Sequence, residues 1–381
     1  MKNQAPKTDH DYIVLGVGGV GSAALYHLAK RGANVLGIDQ YPAGHDKGSS
    51  HGDSRLIRLV YFEHPDYVPL LRAAFDLWRE LEVESGDELL KMTGLLQAGP
   101  ADGEVITGLI KAAKTHHLKM EQLDSEDANK RFPGINLKPD QTAIFDENAG
   151  VLRVEDCVKT HVKLARKHGA QLKSGLATSW RQEQDRISVK IGDETLCCQK
   201  LIVTPGAWAP AVLPALNQFL EIRKKSLFWF DKHLSVHQLR NNFPVFFIED
   251  NGHNFYGFPA MDEKGVKLAD HQGGEVMSDP SDLDKSLDAA ALKDIRGALS
   301  QYLPEVDDHV SHFTNCMYTM SKDEHFIVGQ YPDSTNVHFV TGLSGHGFKF
   351  APVLGEILAD LSMTGETRHP IAFLSPDRFQ S

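Results

Sequence analysis

Tyr12-Ile13-Val14-Leu15-Gly16-Val17-Gly18-Gly19-Val20-Gly21-Ser22 decides the fold. Tyr12 to Leu15 reads as a buried strand, Gly16 to Gly21 as a turn and Ser22 to Arg31 as a helix, with a second strand over Asn34 to Asp39. The turn fits G-x-G-x-x-G. Gly16 permits the tight turn, Gly18 lets a pyrophosphate approach the backbone, and Gly21 lets the helix pack on the strand. Free N–H groups and the dipole at the helix start favour a phosphate. Asp39 lies 23 residues after Gly16, where a carboxylate accepts ribose hydroxyls. The unit predicts a dinucleotide without separating FAD from NAD, because both present the same adenosine, ribose and pyrophosphate to it.

Outward from this unit, a loop rich in Gly, Ser and His runs from Pro42 to Asp53, and Asp66 is placed to cap a helix carrying Leu71, Phe75, Trp78 and Leu81 on one face. A strand at Gly94 to Ala98 and a helix at Asp102 to His116 follow. Val154 to His168 reads as a helix, and Ile187 to Ile191 and Lys200 to Thr204 as strands returning to the first sheet, which makes the first unit discontinuous. Between Phe228 and His271, apolar and polar residues alternate, most clearly in Val245 to Ile248 and Phe255 to Phe258, as in an antiparallel sheet with one face covered. A strand at Val337 to Thr341, the loop Gly342 to Gly347 and a helix at Pro352 to Leu361 close the chain. The expected class is α/β, with residues 1–80, 145–215 and 315–381 forming a discontinuous nucleotide domain, and 81–144 and 216–314 a mixed antiparallel-sheet substrate domain.

A chain of 381 residues exceeds what one core usually supports, consistent with two domains. Its formal charge of -11 argues against sequence-independent nucleic-acid binding, which needs a basic surface. Four cysteines, Cys157, Cys197, Cys198 and Cys316, are too few and too irregular for a disulfide framework, so a reducing compartment is expected. The polar start Met1 to Asp11 has no signal-peptide pattern, no apolar run approaches a membrane span, and Arg378-Phe379-Gln380-Ser381 is not a peroxisomal signal; the cytoplasm is the expected location. The 19 histidines form no HExxH and there is no CxxC, so no metal is expected.

Four further segments carry a family pattern: Gly48-Ser49-Ser50-His51-Gly52-Asp53-Ser54-Arg55-Leu56-Ile57-Arg58; Tyr256-Gly257-Phe258-Pro259 with Lys267 and His271; Cys316-Met317-Tyr318-Thr319 with Asp323-Glu324-His325-Phe326-Ile327; and Ser344-Gly345-His346-Gly347-Phe348-Lys349-Phe350. With the N-terminal turn they span nearly the whole chain, and together they resemble the family of monomeric sarcosine oxidase and N-methyltryptophan oxidase. The resemblance implies a Rossmann-like FAD-binding domain of the glutathione-reductase/D-amino-acid-oxidase type, a monomer, and oxidation of a secondary amine of an N-methyl amino acid to hydrogen peroxide, aldehyde and amine. The substrates implied are sarcosine-like or N-methyltryptophan-like. Cyclic imino acids, glycated amino acids, and a dehydrogenase with another electron acceptor are the alternatives.

It also implies FAD bound covalently through Cys316, with the other three cysteines packed as small hydrophobes. A partly ionised thiol is a strong nucleophile, which suits the bond. Arg58 and Lys349 correspond to the pair holding the substrate carboxylate, through charge-assisted hydrogen bonds, with Tyr256 and Phe247 beside the substrate. Phe247 stands near a methionine of sarcosine oxidases and Ser50 where relatives carry a second histidine, so the substrate side chain is left open. Arg55 and His51 are implied near the flavin ring, with Ser49, and Gly345, His346, Gly347 and Lys349 at its pyrimidine edge, although His346 also suits an ordinary turn. Lys267 corresponds to the lysine that promotes reaction with oxygen, since an ammonium stabilises the negative charge that develops there. His271 and Tyr318 correspond to residues near the substrate. Arg55 and Arg58 share a face only in a helix; in a strand they diverge.

Overall fold

The computed structural model describes residues 9–332 and 334–379; the polar start through residue 8 and the last two residues of the C-terminal tetrapeptide lie outside them. The strand–turn–helix–strand unit is formed by His10–Leu15, Gly19–Lys30 and Val35–Asp39. Its glycine turn is sterically obligatory. A Cβ on Gly21 would lie 1.8 Å from the Gly16 carbonyl oxygen, so no other residue lets the helix start so close to the strand.

Around this unit a parallel sheet grows in the order Val337–Thr341, Glu194–Val203, His10–Leu15, Val35–Asp39 and Gln171–Ser174. The antiparallel strands Ala177–Glu183 and Arg186–Ile191 extend one side, and Ile327–Gln330 pairs with Val337–Thr341. Helix Gly19–Lys30 is the crossover between the first two strands, and helices Val154–Lys167 and Ala351–Thr364 pack against it. A second, nine-stranded mixed sheet contains Leu220–Phe230, Val266–Asp270, His253–Phe258, Val245–Asp250, Leu95–Pro100 and Gln141–Asp146 in that order, and Val310–Ser321 pairs along Leu220–Phe230. A small sheet of Ser54–Ile57, Gly150–Arg153 and Leu90–Met92 joins the two. Boundaries at 145 and 315 both fall inside strands of the nine-stranded sheet, Gln141–Asp146 and Val310–Ser321.

One local expectation is corrected. Helix Tyr67–Ser85 follows Asp66, but the Asp66 carboxylate makes no capping bond. A capping side chain reaches back over the first turn from an extended backbone, whereas Asp66 is itself helical, at φ -67 and ψ -10. Turn bonds from Tyr67 N to His64 O and from Val68 N to Pro65 O start the helix instead. Leu71, Trp78 and Leu81 are buried on its inner face, with Phe75 partly covered.

Candidate active site

A long groove crosses the first sheet at the ends of its parallel strands. Gly16, Gly18, Asp39, Ser49, Arg55, Tyr318, Gly345 and Gly347 line it. The Asp39 carboxylate stands at the end of the second strand, accepting from Val17 N at 2.7 Å and Tyr41 N at 2.9 Å, one bond on each oxygen. Each oxygen therefore keeps a lone pair for a hydroxyl. Gly21 lies behind the groove wall as a packing residue. Thr319 and Thr341 also line the groove, and their buried hydroxyls have no protein partner.

A second, smaller pocket of about 50 Å³ opens off the groove; Arg55, Tyr318, Gly345 and Phe348 belong to both walls. Arg58, Glu63, Phe247, Tyr256, His271, His346 and Lys349 also line it. Gly345 is required at the junction: its φ is +79, and a Cβ would meet the Tyr318 ring at 2.2 Å.

Arg55 and Arg58 diverge, because Ser54–Ile57 is a strand. Arg55 turns toward the groove and donates to Ser54 O at 2.8 Å and Ser49 O at 2.9 Å, with Nη2 3.7 Å from Cys316 Sγ. Arg58, 2 % exposed, lies among the rings of Tyr61, Phe62 and Phe247. Its Nη2 donates to both Glu63 oxygens, at 2.6 and 2.7 Å, and its Nη1 to Gln97 Oε1 at 2.9 Å. Arg58 Nε and Gln97 Nε2 are buried without an acceptor. Asp146 fixes the chain just beyond by accepting from Leu59 N and Val60 N.

Lys349 follows the glycine loop. Its Nζ donates to His346 O at 2.9 Å and sits 5.2 Å from the Tyr61 ring centre. Trp78 Nε1 holds the Lys349 carbonyl at 3.0 Å, so a helix that reads as structural anchors a site residue. Burial, reinforced by Arg58 and opposed by Glu63, brings the Lys349 pKa down to about 7. His346 stacks in the core against Phe326. Its Nδ1 accepts from Tyr61 OH at 2.6 Å and its Nε2 donates to Glu324 O at 3.0 Å, the pattern of a neutral ring. Burial, with the Lys349 charge, accordingly pushes its pKa well down. His271 is also neutral, brought to about 3 chiefly by burial.

Lys267 lines neither cavity but supports the turn before Arg55. Its Nζ donates to Gly52 O at 2.6 Å and to Ser54 O and Oγ, both at 3.1 Å. Burial and Arg55 depress its pKa, but two carbonyl acceptors and the faces of the Trp229 and Phe258 rings, whose centres are 5.1 and 4.9 Å from Nζ, suit an ammonium. The geometry favours the charged form.

Cys316, on the strand Val310–Ser321, is 1 % exposed, with Sγ 3.5 Å from Ser49 O. Burial raises a thiol's pKa, but here the His51 imidazole and the Arg55 guanidinium outweigh it and bring Cys316 to about 7. His51 Nε2 is buried without a hydrogen-bond partner. Cys157 and Cys198 are instead pushed up by burial, Cys198 to about 12, and all four cysteines are free.

Glu63, Tyr61 and Gln97 escaped the sequence reading. Glu63 stands five residues after Arg58, outside the i+3 and i+4 spacings of a helical ion pair, and nothing in the motif distinguished it from a surface acid. Among the described residues, no set of three or more His, Cys, Asp or Glu side chains is arranged to hold a metal ion, and no helix is long and apolar enough to cross a membrane.

The model for FAD dependent oxidoreductases matches residues 11–361. A monomeric sarcosine oxidase of Streptomyces avermitilis is 37% identical over 377 residues, covering 97% of both chains. An N-methyl-L-tryptophan oxidase of Citrobacter koseri is 36% identical over 358 residues, covering 93% of this chain and 94% of its own. Among solved structures, NikD, an amino acid oxidase of nikkomycin biosynthesis, superposes with a TM-score of 0.86 at 22% identity over 97% of this chain and 98% of its own. L-proline dehydrogenase from P. horikoshii reaches 0.84 at 20% identity, over 99% of each. The glycine turn, the Asp39 carboxylate and the unpartnered groove hydroxyls fit the cofactor of these enzymes. The chain belongs to the FAD-dependent oxidoreductases, within the family of monomeric sarcosine oxidase and N-methyl-L-tryptophan oxidase.

Proposed function

We propose that the protein is an oxidase of the secondary amine of small N-methyl amino acids, with FAD attached through Cys316. The carrying observation is that Arg58 and Lys349 both line the small pocket, which shares Arg55, Tyr318, Gly345 and Phe348 with the groove. When bound, FAD would supply a two-electron acceptor for oxidation of the substrate C–N unit and, once reduced, a donor for the conversion of oxygen to hydrogen peroxide. Gly16, Gly18 and Asp39 would hold its nucleotide end; Ser49, Arg55, Gly345, His346, Gly347 and Lys349 would surround the ring end.

Arg58 and Lys349 hold the substrate carboxylate. Arg58 is paired with Glu63 in the structure, so the carboxylate takes over an interaction that Glu63 now makes. Neutral His271, with Tyr256 and Tyr318, packs around the amine and leaves it uncharged, as loss of a hydrogen from carbon requires. Arg55 and His51 activate the Cys316 thiol, and Lys267 contributes positive charge for the reaction with oxygen.

The pocket favours a small side chain. One water needs about 10–15 Å³ of such space, so 50 Å³ corresponds to a handful of waters, enough for a sarcosine- or proline-sized molecule. An indole would need Phe247 to move. The protein acts as a monomer in the cytoplasm on this reading. An aerobic peroxide screen across N-methyl, cyclic and glycated amino acids is the test. Turnover of the small N-methyl members is expected; turnover confined to bulky or glycated members refutes the size argument, and none at all refutes the function.

A further inference from the structure

Lys225 is a buried cation to which none of these roles falls. It is 5 % exposed, on the strand Leu220–Phe230. In the antiparallel ladder it stands directly opposite Cys316, so both side chains leave the sheet on the same face. A lysine is seldom buried unless something takes its protons. Here the acceptors are two consecutive carbonyls: Nζ donates to Gln272 O at 2.5 Å and Gly273 O at 3.3 Å. The same Nζ lies 5.4 Å from the centre of the Tyr318 ring, within cation–π range.

Gln272 and Gly273 follow directly on His271. The segment is also held at its start, from His271 N to Asn254 O at 2.9 Å and from Gln272 N to Asp270 Oδ1 at 2.9 Å, and at its end, where Lys224 N donates to Glu275 O at 2.8 Å. Gly274 then brings the chain close over the lysine stem, where a Cβ would stand 3.1 Å from Lys225 Cδ. One ammonium thus touches both the segment that carries His271 and the ring of Tyr318. Those two rings have centres 5.6 Å apart, and both line the small pocket.

We propose that Lys225 is a positioning residue for the substrate: it ties the turn after His271 and the ring of Tyr318 to the strand facing Cys316, and so sets the spacing of the two rings. This rests on the reading of the small pocket as the substrate site. Replacing the ammonium with an apolar chain of similar length leaves the Gln272 and Gly273 carbonyls without this donor and frees Tyr318 to shift, while Cys316, Arg55 and the glycine turn stay in place.

The test uses the flavin-loaded enzyme as Lys225→Met and Lys225→Arg. Hydrogen exchange reads the tie directly, and steady-state kinetics with the best amino acid of the peroxide screen reads its consequence. In Lys225→Met, the amides of residues 272 to 275 should exchange at least tenfold faster, and KM should rise about tenfold with kcat within twofold and covalent flavin content unchanged. Lys225→Arg should restore most of both. Unchanged exchange overturns the proposal, and so does faster exchange at wild-type KM. If the methionine variant does not accumulate as holoenzyme, Lys225→Gln is read by the same criteria. Wild-type enzyme that oxidises nothing in the screen would instead sink the assignment of the pocket, and the exchange measurement alone would then decide the tie.

Discussion

Replacing His51 with Asn in flavin-free protein should slow covalent flavin incorporation at pH 7 by roughly fiftyfold. The magnitude follows from two cysteines that are almost equally enclosed, Cys198 at 0% and Cys316 at 1% exposure. Cys198 has no cation beside it, and burial pushes its thiol to about 12. Cys316 stands at about 7, because His51 and Arg55 more than offset its burial. That gap of about five pH units is on the order of 7 kcal/mol in favour of the thiolate. If the two side chains share it about equally, losing one moves the midpoint up by at least two units, from about 7 to roughly 9. The thiolate fraction at pH 7 then falls from about half to about one per cent. The assay adds FAD to flavin-free protein between pH 6 and 10 and follows flavin that remains with the chain after denaturation. Wild type should show a midpoint near 7, His51→Asn and Arg55→Met higher midpoints, and the double variant the least incorporation of all. A wild-type midpoint at or above 8.5, or one that neither substitution moves, refutes the reasoning; incorporation surviving Cys316→Ala refutes the attachment site.

Lys267→Met should slow reoxidation of the reduced enzyme by a few hundredfold, for a loss of ~3 to 4 kcal/mol of charge stabilisation, while anaerobic reduction by substrate changes little; stopped-flow measurement of the two half-reactions decides, and wild-type reoxidation refutes the role. Lys349, with its pKa lowered to about 7 mainly by burial, is charged below that pH and neutral above it. The Kd of acetate, a carboxylate without an amine, should therefore weaken as pH rises through 7, by up to about tenfold per unit, and lose this dependence in Lys349→Met; flavin absorbance titrations would show it, and a flat wild-type profile excludes Lys349 as a carboxylate partner. His27 and His161 are kept neutral by burial, at about 4 and about 3. Unfolding returns them to ~6.5, so the unfolded state binds more protons below that pH, and stability falls with acidification by roughly 1.4 kcal/mol per pH unit for each, until the folded values are reached. His161→Phe should flatten urea-measured stability between pH 6 and 4.5, and an unaltered slope would show that His161 does not titrate on unfolding.

Legibility in the sequence followed the reach of each interaction. The glycine turn and its flanking strands were readable because their constraints are local: Gly21 must clear Gly16, and Asp39 must stand at the end of the next strand. The family segments brought Arg58, His271, Tyr318 and Lys349 to one pocket although they come from distant parts of the chain. Asp66 failed as a cap because backbone angle, which residue type does not reveal, controls what its side chain can reach. Glu63 and Gln97 were missed because their meaning comes from a single buried partner, Arg58, and that partner is set by tertiary packing. Lys225 was missed for the same reason: on an alternating strand it reads as a solvated lysine, and only the return of Gln272 and Gly273 over it makes it an interior group.

The strand bearing Cys316 belongs to the nine-stranded sheet, whereas the glycine turn belongs to the parallel one. With the bond proposed at Cys316, the cofactor becomes a crosslink between two separately hydrogen-bonded halves, anchored by recognition at one end and by a covalent bond at the other. Such a crosslink can close only after both halves have folded and docked, so flavin that survives denaturation is a record of correct assembly. Yellow colour that survives denaturation would then report on folding history as well as on cofactor content, and chains that docked wrongly would lose their flavin on denaturation however much FAD surrounds them.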